Sequence, residues 1–391
     1  MKRVLVALGL LAIVFSVGMV ALADAYVPGT PMKVGLIYVG PIGDYGWTYA
    51  HNEARLIVED TFPWVETYFV ENVAEGQEEA FIDQLLAEFD VDVVITTSFG
   101  FMNGTYAAAQ RYPDKIFAHA SGFMRAPNML TYMADFYQVY YLNGIIAGAL
   151  TETDKVGYVG AFPIPEVKRH LNAFALGVQA ANPEAEVQAS WIYEWFNPAG
   201  AKEATEALIA DGCDMFAFTE DSPTVVQVAA DNEMMSFGHY GSQMYQFAPD
   251  YVVSGQAVRW EAIYIDFLQK IYDGVYTAEN LQNVDYWWLM AQDAVAAEAQ
   301  PGVPINPLHV DALKAYMIDD PALGMISAYD LFYTRLAQFS NPGVTFDPFE
   351  GPIVDRTGVL RVEEGAWLSV DSLITMEWAV SNVVGPWPNE P

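Results

Sequence analysis

The chain's 391 residues are enough for two domains of ordinary size, and with 53% hydrophobic and 14% aromatic residues it can bury a large core and still line a pocket with rings. Its 50 acidic against 17 basic residues leave a formal charge of −33, which argues against nucleic acid and anionic lipid as partners, because phosphate binding needs clustered Lys and Arg. A neutral ligand stays open, and the acidic surplus suits solubility in a saline milieu.

Met1–Ala23 reads as an export signal. Lys2 and Arg3 precede the apolar run Val4–Val20, and Ala21-Leu22-Ala23 forms an A-x-A cleavage site before Asp24. The run is also long enough to approach a membrane anchor. No cysteine stands near the site for lipid attachment, so a periplasmic or extracellular protein is expected. Cys213 is the only cysteine. No intramolecular disulfide can form, and the fold must rest on its core.

From Lys33 to about Leu150 strands and helices alternate. Val34–Val39 is a short apolar run of the kind a buried parallel strand gives, and Gly40, Pro41 and Gly43 then mark a tight turn. Ala50, Ala54 and Val58 continue at helical spacing. Val65–Val70, Val91–Thr97 and Ile116–His119 read as further strands. Glu78–Phe89 reads as an amphipathic helix and Tyr106–Arg111 as another. Tyr132–Thr151 contains a Gly- and Ala-rich helical run suited to close packing. The pattern then restarts. Lys155–Val159 (KVGYV) echoes Lys33–Tyr38 (KVGLIY), followed by a helix over Val167–Ala181, a strand over Glu186–Tyr193, a helix over Ala201–Asp211, a strand over Met215–Thr219, a helix over Pro223–Asn232 and a strand over Met235–Gly238. Such a βαβ series implies parallel sheets with helices on both faces. Two similar α/β halves suggest two lobes that close on a ligand.

The last third is less regular. Trp260–Tyr272 is a strong helix and Tyr286–Met290 a possible strand. Pro301–Asn341 reads as a polar, Pro-interrupted insertion with some helix, Thr357–Val362 as one arm of a hairpin, and Leu373–Val384 as apolar residues at helical spacing. The expected lobes are residues 33–150 with 258–275, and 151–257 with 276–391.

No G-x-S-x-G, Walker A, H-E-x-x-H or zinc-ligand spacing occurs. The five histidines are scattered, so neither a metal nor a cofactor is expected, and His119 reads as structural. What remains is a set of aromatics and acids at predicted strand ends, where open α/β sheets bind ligands. They are Asp44, Tyr45, Trp47 and Thr48, then Phe99 and Gly100, Trp195 and Phe196, Glu220, Asp221 and Ser222, and Tyr240. Aromatic faces stack on planar rings, and carboxylates accept their N–H groups. The same residues also have structural readings: Trp47, Trp195 and Phe196 as core, and Asp44 and Asp221-Ser222 as helix N-caps.

The motifs KVGLIYVGPIGDYGWTYAHNEAR (Lys33–Arg55), ENVAEG (Glu71–Gly76), TTSFGFM (Thr96–Met102), PIPEV (Pro163–Val167), WFNPAG (Trp195–Gly200), QFAPD (Gln246–Asp250) and PFEGPI (Pro348–Ile353) together resemble the basic membrane protein family. These are substrate-binding proteins of ABC transporters, similar to purine nucleoside receptors. The turn Gly43-Asp44-Tyr45-Gly46-Trp47 is most similar to a branch that looks specific for purine bases such as adenine. The resemblance implies a type I periplasmic-binding fold with three crossovers, a purine-type ligand in the cleft, and delivery to a membrane permease. By position, Asp44 and Trp47 match the family's acid and aromatic in the first turn. Phe99, Trp195-Phe196 and Asp221 fall at the other cleft turns. One departure stands out. Nucleoside-binding members carry G-V-D-S-D-Q with a ribose-holding acid where this chain has Gly238-His239-Tyr240-Gly241-Ser242-Gln243, and a buried sugar diol without an acceptor would lose affinity. A free base rather than a nucleoside is therefore expected, bound by a monomer without catalysis. A sensor feeding a signalling receptor is the alternative, and an exported nucleoside hydrolase a remote third.

Overall fold

The computed structural model describes residues 25–341, 343 and 346–388; the expected signal segment lies outside them. Its strands are β1 (Met32–Ile37), β2 (Val65–Val70), β3 (Val93–Thr96), β4 (Ile116–Ala120), β5 (Met129–Ala134), β6 (Lys155–Gly160), β7 (Glu186–Trp191), β8 (Met215–Thr219), β9 (Met235–Gly238), β10 (Val252–Val258), β11 (Asp285–Trp288), β12 (Val295–Ala297), β13 (Met317–Asp320), β14 (Gly324–Ser327), β15 (Ile353–Val354), β16 (Leu360–Val362) and β17 (Val383–Val384). The helices that matter for the site are α1 (Trp47–Thr61), α2 (Glu78–Phe89), α3 (Met102–Arg111), α4 (Tyr137–Leu150), α5 (Pro165–Ala181), α6 (Pro198–Ala210), α7 (Thr224–Asp231) and α8 (Trp260–Tyr272).

The first sheet runs β11-β5-β4-β3-β1-β2 and the second β12-β10-β9-β8-β6-β7-β17. β1 and β6 hold the same place in the two sheets, so the KVGLIY/KVGYV echo in the sequence marks a repeated topology. All pairings in the first sheet are parallel. The order reverses beside β1 and beside β6, the topological switch points where such sheets bind ligands. This is the type I periplasmic-binding fold: two α/β lobes joined by three crossovers, at Asp135–Phe136, at Arg259, and at Leu289–Ala294.

Apolar burial follows the layers. Ile82, Leu85 and Phe101 pack with Ile37, Val94 and Phe117 beneath α2 and α3. Leu208, Val225 and Ala229 pack with Val159, Phe216 and Phe218 beneath α6 and α7. α4 and α5 lie against each other so closely that a Cβ added to Gly144 would come 2.1 Å from the Phe174 carbonyl oxygen, and one on Gly177 2.1 Å from that of Tyr141. The Gly- and Ala-rich run is suited to this contact.

The structure corrects several boundaries. The helical run expected within Tyr132–Thr151 is α4, which begins at Tyr137, and the residues before it belong to β5 (Met129–Ala134). Every residue of β5 is buried, so it lacks the alternation that marks a half-exposed strand. α4 packs on α5, β10 and β12, so the first lobe ends near Asp135 rather than at residue 150. β11 pairs in parallel with β5, which takes the return into the first lobe past residue 275 to Trp288. β10 and β12 were not foreseen. Leu373–Val384 is not a helix; the helical turn covers Val370–Ile374, and β17 then extends the second sheet beside β7. In the 301–341 segment a β13–β14 hairpin is followed by a helix over Ala328–Phe339 that packs on α4.

Candidate functional site

The carboxyl ends of β1, β3 and β4 face those of β6, β8 and β9 across a narrow slot, nearly closed by its own side chains. Val39, Trp47, Ser98, Phe99 and Ser121 line it from the first lobe, and Glu166, Trp195, Asp221 and Tyr240 from the second. The lobes touch here: a Cβ on Gly46 would lie 2.7 Å from the Asp221 Cα.

The first turn is set by Asp44. Its Oδ1 accepts from the backbone N–H of Gly46 (2.7 Å) and Tyr49 (2.9 Å), and its Oδ2 from that of Thr48 (3.0 Å). These bonds satisfy the open N-terminus of α1. The cap reading thus describes Asp44, which does not line the slot. Burial pushes its carboxyl up to about 6 despite those bonds. Thr48 is also buried, accepting from the Gly40 N–H at 3.1 Å. Trp47 opens α1; its indole N–H donates to the Thr97 carbonyl, and its ring meets His51, Tyr240 and Trp260 edge-on. Tyr45 stands at the mouth, with its carbonyl accepting from Gln243 of the other lobe at 3.3 Å.

Glu75, from the loop after β2, organises the third turn. Its Oε1 accepts from Ser98 Oγ (2.6 Å), from the Gly100 N–H (3.0 Å) and, across the cleft, from Trp195 Nε1 (3.3 Å). A Cβ on Gly100 would strike that carboxylate at 2.2 Å, so Gly100 serves this approach rather than lining the slot. His119 places Nε2 2.9 Å from the Ser98 carbonyl; burial lowers its pKa to about 4, so the ring is neutral and donates.

In the second lobe Trp195 leans on Phe162, centroids 5.1 Å apart, and presents its ring to the slot. Phe196 is exposed at the outer cleft. Asp221 is anchored by its N–H to the Trp195 carbonyl at 2.7 Å. Its carboxyl group faces the Trp47 backbone N–H and the Tyr240 hydroxyl, and Oδ1 has no hydrogen-bond partner within the protein. Burial first, then the nearby charge of Asp44, push its pKa well above the carboxylate range. Glu220 is buried behind it, holding the Ser222 hydroxyl at 2.9 Å, and does not line the slot; Ser222 in turn braces Thr224 at the start of α7.

Of the twelve residues expected from sequence, Trp47, Phe99, Trp195, Asp221 and Tyr240 meet in the slot, while the others brace it or stand at its mouth. Sequence reasoning missed Val39, Ser98, Ser121 and Glu166. It also passed over Glu75, although ENVAEG and PIPEV were among the motifs of the resemblance. Among the described residues no group of three or more His, Cys, Asp or Glu side chains is placed to hold a metal ion, and no helix is long and apolar enough to cross a membrane.

Two lobes, three crossovers and an aromatic slot between opposed strand ends are the architecture of the solute-binding proteins. The chain belongs to the family described as ABC transporter substrate-binding protein, PnrA-like, whose profile matches residues 32–294. It is a family of transport proteins, not of catalysts. The chain is 34% identical over 353 residues to a purine-binding protein of Brucella abortus, covering 90% of this chain and 93% of that one. It is 39% identical over 251 residues to a protein of Haloferax volcanii provisionally named a glucose-binding protein of an ABC transporter, covering 64% of each. The fold matches an ABC transporter solute-binding protein of Aeropyrum pernix at a TM-score of 0.65 and 16% identity, covering 81% of this chain and 94% of that one.

Proposed function

We propose that this protein is the exported receptor of an ABC importer and that it captures a free purine-type base for delivery to the permease, acting as a monomer. The observation that carries this reading is the slot itself. Four aromatic residues from both lobes line it, together with Asp221, whose buried Oδ1 has no partner within the protein. A planar heterocycle stacks on such rings, and its ring N–H satisfies the orphaned acceptor. The Brucella relative's name supports the same ligand class. Tyr240 lines the slot in the segment where nucleoside-binding relatives carry their ribose acid, which favours the base over the nucleoside.

The Haloferax relative's name points to glucose. A sugar offers hydroxyls on every edge and needs free donors as well as acceptors. Here the Ser98 hydroxyl is already given to Glu75, and Tyr240 faces Asp221. The reading is tested by thermal unfolding of the ligand-stripped protein with adenine, guanine, hypoxanthine, adenosine, inosine and glucose. A ligand at a hundred times its Kd stabilises the bound form by about 2.7 kcal/mol. Stabilisation by a base, and by glucose not at all, is the expected result. Stabilisation by glucose alone would overturn it.

A further inference from the structure

Glu166 is the second residue of α5, directly after Pro165, and its carboxylate reaches the slot beside Ser121. The cations near it are committed elsewhere. Arg169 gives Nε to Asp135 at 2.9 Å, its Nη2 to the same carboxylate, and its Nη1 to the Leu373 carbonyl at 2.7 Å. The guanidinium also lies on the face of Trp287, 5.0 Å from the centroid. His170 turns Nε2 toward Asp135 at 3.3 Å. Ser121 is the side chain that faces Glu166 as a donor, and that hydroxyl also points at the Met133 sulfur, 3.4 Å away. A carboxylate accepts up to about four hydrogen bonds, so beside Ser121 Glu166 keeps acceptor capacity for a molecule in the slot.

The other polar groups have the same sense. The Ser98 hydroxyl proton goes to Glu75 at 2.6 Å, the Trp47 indole N–H to Thr97, and the Tyr240 hydroxyl faces Asp221. The slot therefore presents carboxyl oxygens of Glu166 and Asp221 at separate points; burial and the Asp44 charge favour the protonated form of Asp221, whose carbonyl oxygen still accepts. A ligand that matches it carries N–H groups on two edges. A carbonyl oxygen set against Glu166 would meet a like partial charge with nothing to bind.

We propose that Glu166 is a specificity-determining residue that accepts an N–H of an exocyclic amino group, so that the slot selects 6-aminopurines over 6-oxopurines. The assignment rests on the reading of the slot as a purine site. It predicts that adenine binds more tightly than both hypoxanthine and unsubstituted purine. Asp221 then takes the ring N–H that all three ligands share.

The test is a cycle of titrations: adenine, unsubstituted purine and hypoxanthine into wild type and Glu166→Gln, with Glu166→Asp as the variant that keeps the charge. In wild type adenine should exceed purine and hypoxanthine by about tenfold or more, the worth of one hydrogen bond to a charged acceptor. In Glu166→Gln that advantage should shrink by a similar factor, since an amide offers a donor as well as an acceptor. The affinity for unsubstituted purine, which has no amino group, should fall by less than that for adenine. Glu166→Asp should keep the order of preference. Equal ratios in wild type and Glu166→Gln, with adenine bound by both, would overturn the role of Glu166 alone. A wild-type protein that binds no purine would overturn the reading of the slot and this assignment with it. A loss of purine equal to that of adenine in Glu166→Gln would make Glu166 a structural residue and also overturn the assignment.

Discussion

Trp47 and Trp195 both line the slot but are held very differently. Trp47 is 7% exposed and wedged among His51, Tyr240 and Trp260, so Trp47→Ala opens a core cavity and costs about 3–5 kcal/mol of stability. Its effect on binding cannot be separated from that loss. Trp195 is only half-buried, its ring on Phe162 and its indole N–H on Glu75. Trp195→Ala is therefore the cleaner probe: affinity for a base should fall about 10–100-fold, as loss of one stacking face implies, while the unfolding midpoint moves by a few degrees at most. Asp44 gives a second prediction. Its carboxyl is raised to about 6, so it keeps in the folded state a proton that the unfolded chain releases near 4. Such a group contributes stability below its unfolded pKa and loses that contribution as pH rises through about 6. The effect is worth up to about 3 kcal/mol. Asp221 and Glu220 are also shifted up by burial and act with the same sign. Buried His51, His119 and His239, held neutral by burial, act in the opposite sense below about 6.5, so the test is a difference: between pH 4 and pH 7 the wild type should lose up to about 3 kcal/mol of stability relative to Asp44→Asn, and an identical pH dependence in the two proteins would contradict the account. At this scale sequence reading found the aromatics, because rings at strand ends stand out. It gave Asp44 a ligand role that its three backbone N–H partners argue against. Glu166 was one acid among 50; only the approach of α5 to β4 makes it distinct.

Among the elements, the α4–α5 pair and the first crossover carry the second lobe. The backbones of Gly144 and Gly177 are in contact, and any side chain there must push the helices apart. Gly144→Ala should lower stability in urea by at least about 2 kcal/mol, although alanine is the better helix former. At the crossover Asp135 is fully buried between Arg169 and His170. Burial alone would raise its pKa, but the Arg169 charge and the His170 contact hold it below the ordinary carboxylate range. Removing the cation in Arg169→Met strands a buried carboxylate and should cost about 3–5 kcal/mol in the same assay. Strands flanked by glycine turns, such as β1, β3 and β6, were legible in the sequence. β5 was not, since it is buried throughout and only Asp135-Phe136 separates it from α4. The place of β11 was also hidden: Asp285 pairs with Thr131, a contact no local pattern reports.

For the whole molecule, closure is the functional event. The lobes meet through polar and aromatic contacts: Trp195 to Glu75, Gln243 to Tyr45, Gly46 against Asp221, and the rings of Tyr45 on Phe247 and Trp47 on Tyr240. The two-lobed architecture was legible from the restart of the βαβ pattern at Lys155. The position of the hinge was not, because it depends on which sheet each strand joins. The measurement that tests the central claim most directly is isothermal titration of the refolded, ligand-stripped protein with adenine and adenosine. The account predicts one adenine per chain, bound more tightly than adenosine and with a negative heat-capacity change as the rings are buried. Tighter binding of adenosine, or no heat with either, would contradict it.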